Sequence, residues 1–402
     1  MPQETPKEIG TDMPEEFPAD RRTDSDPERR ASADNARPSG APDFALSHPD
    51  FSVRTQGAEK RFDAPEPARQ ALREGSAEMV VGAIPFDATG TWALSVPQHV
   101  VSSSNPLEPP SFYRSGEFPS FTLASQVPTP RMHRERVARA VSVLNSGELD
   151  KVVLARRELF RADRPFDSRA VAARLMSANP SGYGFLTDLS AAGADYDKHY
   201  LVGSSPELLV RKKGNLVTSF PLAGSTARRT DPDEDEQAAA QLQASAKDLR
   251  EHRYVVDHIA EVLGRFSSAV EAPDVPELLS TRELWHLGTP ISATVDDPDV
   301  TALDLAEALH PTPALGGSPR RSALDYILTN EEDRRFYGGA VGWCTANGDG
   351  IYMVSIRCGE TDEANRSVTA WGGGGIVSDS DPSSELEETK VKLTTIRRSL
   401  GL

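Results

Sequence analysis

Eight short runs rich in β-branched residues, several of them joined by tight glycine turns, constrain this chain more than any other feature. They are Met79 to Phe86, Lys151 to Phe160, Tyr200 to Gly203, Leu208 to Arg211, Leu216 to Phe220, Ala340 to Cys344, Ile351 to Cys358 and Arg366 to Trp371. Lys213-Gly214-Asn215 links two of them and Asn347-Gly348-Asp349-Gly350 links two more. Connections this short can only reverse the chain, so the strands they join are antiparallel neighbours. Helical patterns sit between groups of strands instead of alternating with them one for one. The expected class is α+β, and a doubly wound parallel sheet is disfavoured.

The longest helical pattern runs from about Asp233 to about Phe266, with acids in its first turn and Leu249, Val255, Val256, Ile259, Val262 and Leu263 near helical spacing. Within it Asp248 and Glu251 share a face, and Lys247 can reach Glu251. A second acidic helix is expected from Pro382, a natural first helical residue, just after Gly372-Gly373-Gly374-Gly375. Its Glu385, Glu388 and Lys392 also share a face. Taken singly, each helix reads better as a solvated surface with i,i+4 ion pairs. Together they offer carboxylates from two helices to one hard cation such as Mg²⁺, which commonly takes only one or two from the protein and fills its octahedron with waters or substrate oxygens. The glycine run lacks the Gly-Lys-Ser/Thr of a phosphate loop. It reads either as a hinge or as backbone that an anion can approach closely.

Charge and composition narrow the partners. With 44 Lys+Arg against 61 Asp+Glu the formal charge is −17, which argues against nucleic acid. No stretch approaches the roughly 18 apolar residues of a membrane span, so no membrane insertion is expected. Cys344 and Cys358 are the only cysteines. They are too few for a disulfide scaffold or a Cys-rich zinc site, and a reducing cytoplasm is the expected location. The opening MPQETPKEIG has neither the basic start nor the apolar run of a secretory signal. Residues 1–45 hold seven prolines, eleven acids and six bases, with Phe17 and Phe44 as the only aromatics. They are expected to form a disordered tail, leaving residues 46–402 as the folded, catalytic part.

Several chemistries are unsupported. There is no HExxH, and Glu251-His252 followed by His258 has the wrong spacing for a zinc helix. Gly203-Ser204-Ser205-Pro206 is not a nucleophile elbow. Lys151, at the head of Lys-Val-Val-Leu-Ala-Arg, is either a snorkelling edge lysine or a desolvated amine of lowered pKa. Glu207 stands where a turn enters a strand and would alone be an ordinary turn acid.

In order along the chain, from about residue 79 to the end, the motifs resemble the chorismate-utilising enzyme family, which includes isochorismate, salicylate, anthranilate and aminodeoxychorismate synthases. The resemblance rests on KVVLARREL at Lys151, GSSPELLV around Glu207, PLAGSTARR at Pro221, SAKDLREHRYVVD at Ser245, ELWHLGTPISA at Glu283, LHPTPALGGSPR at Leu309, FYGGAVGW at Phe336, SIRCGE at Ser355 and GGGGIVSDSDPSSELEET at Gly372. It implies an α+β fold of large antiparallel sheets packed together and flanked by helices. Within the family, lysine at the position of Lys151 goes with members that add water. Ala223 stands where aminodeoxychorismate synthases have a nucleophilic lysine. The wording of LAGS and HPTPALGG is most similar to isochorismate synthases of siderophore pathways, with salicylate synthases, which also release pyruvate, and menaquinone-pathway isochorismate synthases as alternatives.

The resemblance also implies roles. Water adds at ring carbon 2 of chorismate while the carbon 4 hydroxyl leaves, with Lys151 as base and Glu207 as acid. That requires a desolvated Lys151 and a Glu207 whose pKa is raised. Mg²⁺ is the expected cofactor, with Glu251 and Glu388 as direct ligands and Asp248 and Glu385 acting through water. Arg357 and Tyr337 are expected on the enolpyruvyl carboxylate and His286 near the ring hydroxyl. Lys392 is expected near a carboxylate, and Ser225, Ala314, Leu315, Gly373 and Gly374 on the pocket wall. A monomer and a downstream isochorismatase partner complete the expectation.

Overall fold

The computed structural model describes residues 40–402. The expected disordered tail therefore lies, for residues 1–39, outside the described residues. Its end is corrected: Phe44–His48 is a strand, paired with Phe51–Phe62, and Phe44 and Ala45 are buried. Averaging composition over 45 residues diluted Phe44, and the cut at residue 45 split the short apolar alternation of Phe44 and Leu46.

Among the described residues seventeen strands join into one hydrogen-bonded sheet and three into a second. Every strand pairing is antiparallel, and helices cover the sheets. The α+β expectation holds. Both hairpins form as read, Leu208–Lys213 on Leu216–Phe220 and Ala340–Thr345 on Gly350–Val354.

Two expected elements break, and both breaks serve the site. The helix expected over 233–266 is two helices, Pro232–Ala244 and Ala246–Leu263. Ser245 ends the first at φ −72°, ψ 109°, and its side chain accepts a hydrogen bond from the Asp248 N–H to cap the second. The capping serine restarts the helix with its apolar stripe, Val255, Val256, Ile259, Val262 and Leu263, buried. The strand expected over 351–358 stops at Val354 and resumes at Cys358. Arg357 between them has φ +51°, a left-handed conformation that no regular strand accommodates. The neighbouring chain breaks opposite it, after Gly203 and before Leu208. Ser204 N–H donates to Arg357 O at 3.1 Å, and Val354 N–H donates to Glu207 O at 3.0 Å. Glu207 and Arg357 thus sit in facing gaps of one strand pair, where side chains are freed from sheet alternation.

The glycine run is neither hinge nor loop. It lies inside the strand Ser367–Ile376, paired residue by residue with Lys151–Ala162. Glycine in a strand interior costs roughly 0.5–1 kcal/mol relative to alanine, so a packing reason is needed. A Cβ on Gly375 would stand 2.3 Å from Glu251 Oε1 and 2.9 Å from Lys151 Cε, and one on Gly374 would stand 3.0 Å from Glu385 Oε2. The run leaves room for the side chains of a site.

Candidate active site

Those side chains line a cavity of about 860 Å³ of empty space, part of it open to solvent. The strand Leu222–Ala227 and its partner Leu284–Gly288 bring Ser225 opposite His286 in register. The loop after the helix Ala302–Leu309 brings Ala314 and Leu315, and Arg334 pins it by donating to Leu315 O at 2.9 Å and Val153 O at 2.7 Å. Glu207, Tyr337, Arg357, Gly373, Gly374, Asp248, Glu251, Glu388 and Lys392 complete the expected set on the wall. Two expected residues lie off it. Lys151 is 0% exposed behind Glu251, and Glu385 is buried behind Gly374.

One side of the cavity is built from two acidic helices and three lysines. Lys151 Nζ forms an ion pair with Glu251 Oε1 at 2.9 Å, off the axis of a good hydrogen bond. Lys392 pairs with Glu388 at 2.6 Å and donates to Gly373 O at 2.9 Å. Lys247, expected on Glu251 along its own helix, instead crosses to Glu385 at 3.4 Å. Burial would raise Glu251, but the ammonium groups of Lys151, Lys392 and Lys247 outweigh it and hold its carboxyl below the usual range. Asp248 and Glu385 go the other way: burial raises both, and neighbouring carboxylates, Glu251 and Glu388, add to it.

The opposite side carries polar groups without partners. Arg357 is buried, and its guanidinium has no hydrogen bond or ion pair with any described residue. Burial lowers its pKa, with Tyr337 and the acids Glu283, Glu388 and Glu207 opposing. His286 Nε2 is buried and unpartnered, which speaks against a satisfied core histidine. Burial and the charges of Arg357 and Lys392 keep its ring neutral. Tyr337 stacks on Trp371, with centroids 5.9 Å apart at 7°.

Glu207, 3% exposed, is pushed up to about 7 by burial, against the Leu222 N–H and the charges of Lys151, Lys392 and Arg357. That is the direction expected of an acid holding its proton near neutrality. The residues missed in the sequence include Trp371, Leu222, Gly224 and Gly375, all on the wall. At Gly224 a φ of +79° and a would-be Cβ 3.0 Å from the Asp248 Cβ mark a tight approach of PLAGS to the Glu251 helix, for which a glycine inside a strand is the only sequence signal.

Among the described residues no three His, Cys, Asp or Glu side chains stand together tightly enough to hold a metal on their own. The acid side nevertheless suits a hard cation that draws further oxygens from water or substrate. Glu385 Oε2 is buried without a partner, and burial together with like charges lifts two of the four carboxyls, Asp248 and Glu385.

This cavity belongs to a recognisable class. The family profile described as chorismate binding enzyme matches residues 99–401, and the chain belongs to that family. Among its relatives, a Mycobacterium tuberculosis (strain H37Rv) protein bearing the provisional name isochorismate synthase MenF is 43% identical, over 90% of this chain and 96% of its own. The isochorismate synthase DhbC of Bacillus subtilis is 40% identical, over 84% of each. The crystal structure provisionally described as the 2,3-dihydroxybenzoate-specific isochorismate synthase DhbC of Bacillus anthracis superposes with a TM-score of 0.81 at 32% identity, over 90% of this chain and 96% of that one. No helix among the described residues is long and apolar enough to cross a membrane.

Proposed function

We propose that this chain is a Mg²⁺-dependent isochorismate synthase, an isomerase that moves the hydroxyl of chorismate from ring carbon 4 to ring carbon 2. The observation that carries the reading is a carboxyl raised to about 7, Glu207, on the cavity wall, together with a fully buried amine, Lys151, held just behind that wall by Glu251. In its neutral form, released from its contact with Glu251, Lys151 takes a proton from the water that bonds to carbon 2. The ring double bonds shift, the carbon 4–oxygen bond breaks, and Glu207 gives its proton to the departing hydroxyl, so one water enters and one leaves.

Arg357, unpaired and buried, receives the enolpyruvyl carboxylate together with the Tyr337 hydroxyl, and neutral His286 hydrogen-bonds a ring hydroxyl. Glu251 and Glu388 would hold Mg²⁺ directly, with Asp248 and Glu385 behind water. The ion supplies positive charge for the ring carboxylate. Ala223 on the cavity wall stands where a covalent route would need a nucleophilic lysine, so that position offers no amine. The product feeds a siderophore pathway by way of 2,3-dihydroxybenzoate, with a downstream isochorismatase as partner and a cytoplasmic monomer as the working form. The similarity to a DhbC supports that branch, and the 43% identity to a protein named MenF supports menaquinone synthesis as the second reading.

The test is direct. Purified protein with chorismate and Mg²⁺ should yield isochorismate by chromatography and no pyruvate in a coupled assay. A chelator should abolish turnover and excess Mg²⁺ restore it. Stoichiometric pyruvate with salicylate would replace the reading by salicylate synthase, and full activity under chelation would remove the metal.

A further inference from the structure

A second cavity, of about 670 Å³, adjoins the first and shares Pro206 and Arg357 with it. It extends past Asn179 and Tyr183 on one side and, on the other, between residues 279–283 and the end of the helix Pro382–Ser399. Its wall is lopsided in charge: Arg282, Arg357 and Arg398 face a single carboxylate, Glu283. That carboxylate is already matched to Arg398 at 2.6 Å. Arg282 is exposed, and like buried Arg357 it has no ion pair among the described residues. A protein of net charge −17 thus keeps two unpaired guanidinium groups on one cavity, an exposed one and a buried one that also borders the active site. The neutral wall groups satisfy one another, Asn179 Nδ2 donating to Ser204 Oγ at 2.5 Å and Ser204 Oγ to Tyr183 O at 2.9 Å.

We propose that this second cavity is the entrance vestibule of the active site, which collects a small dianionic substrate and passes its carboxylate to Arg357. The proposal rests on the function proposed above only for the identity of the dianion. A whole-protein field of negative sign repels such a substrate, and a passage lined by one sign of charge with low-dielectric walls overcomes that repulsion locally by focusing the field. Steering of this kind acts on capture, falls with ionic strength and leaves the bound complex unchanged.

The test uses the full chain, with chorismate and Mg²⁺, in steady-state kinetics at low and high salt. Arg282→Glu should lower kcat/KM about fivefold at low salt, with the deficit vanishing near 0.5 M salt and kcat kept. Glu283→Gln, which frees Arg398, should raise kcat/KM about twofold at low salt. Ser280→Trp, a plug at an exposed wall position, should lower kcat/KM at every salt concentration. Arg265→Glu, outside both cavities, controls for net charge. Thermal melts verify that each variant is folded. Arg282→Glu and Ser280→Trp both matching wild type would overturn the vestibule, as would a loss in Arg282→Glu that ignores salt. Failure of the wild type to form isochorismate would instead overturn the proposed function, so the two failures are distinguishable.

Discussion

On the helix side of the active-site cavity Glu251, Glu388 and Glu385 each already face a lysine, whereas on the opposite side Arg357 and His286 Nε2 face no partner. A buried unpaired guanidinium costs on the order of several kcal/mol, which an arriving carboxylate offsets. The unpaired side is therefore preorganised for an anion that comes and goes. The self-neutralised side pairs its acids with lysines, contacts that it can exchange for those of a cation. The proton-transfer pair straddles this division: Lys151 is locked to the acid side, and Glu207 is buried within the fields of Lys151, Lys392 and Arg357.

The comparison breaks most visibly at Lys151. Lys151→Ala should cut kcat by about 10³-fold or more while chorismate still binds, measured by single-turnover assay and calorimetry. Near-normal turnover would remove Lys151 as the base. Glu207→Gln should cost about 10²-fold and change the pH profile. Because the acid works protonated, wild-type kcat should fall as pH rises through about 7, and the glutamine variant should lose that limb. The stability sign is opposite to that of a salt-bridged acid. The folded protein keeps the Glu207 proton up to about 7 while the unfolded chain releases it near the ordinary value of 4.5, so stability drains away as pH rises between the two. Glu207→Gln lacks this loss, and its Tm should exceed that of wild type at pH 8 but not at pH 4.

Much of the site is legible in the sequence alone. Residue types at fixed helical spacing place Asp248, Glu251, Glu385 and Glu388, because i,i+3 geometry is local. The Pro382 start and both hairpins are legible for the same reason. What escapes depends on contacts distant in sequence. The capping role of Ser245 splits one expected helix in two. The left-handed Arg357 breaks a run whose composition reads as continuous strand. Lys247 chooses Glu385, 138 residues away, over its own-helix neighbour, because the second helix packs across from the first. The glycines have two candidate meanings, and only the approach of Glu251 and Glu385 shows that side chains fill space a Cβ would take.

A smaller effect sharpens the anion side. Arg357→Lys keeps the charge but loses the planar fork, so KM should rise about tenfold to thirtyfold with kcat within about threefold. An unchanged KM would mean that the guanidinium is not reserved for a carboxylate. A fall in kcat matching the rise in KM would move Arg357 from ground-state binding to the transition state.

The finest cut between the two sides comes from a pair of neighbouring glycines. A methyl at Gly373 would stand 3.1 Å from the Tyr337 hydroxyl and 3.2 Å from Leu154 O, whereas one at Gly374 would stand 3.0 Å from Glu385 Oε2. Neither position has a left-handed φ, so alanine carries no backbone penalty there and only the contact decides. Tyr337 is fixed by its stack on Trp371 and can yield only by sliding along that ring. Gly373→Ala should therefore raise KM for chorismate about threefold and leave the Mg²⁺ concentration for half-maximal rate unchanged. Gly374→Ala presses on a carboxylate and should raise the Mg²⁺ requirement by a similar factor with KM intact. If both variants shifted both constants together, the cavity would have to be treated as one coupled charge network, and the separation of an anion side from a cation side would fail.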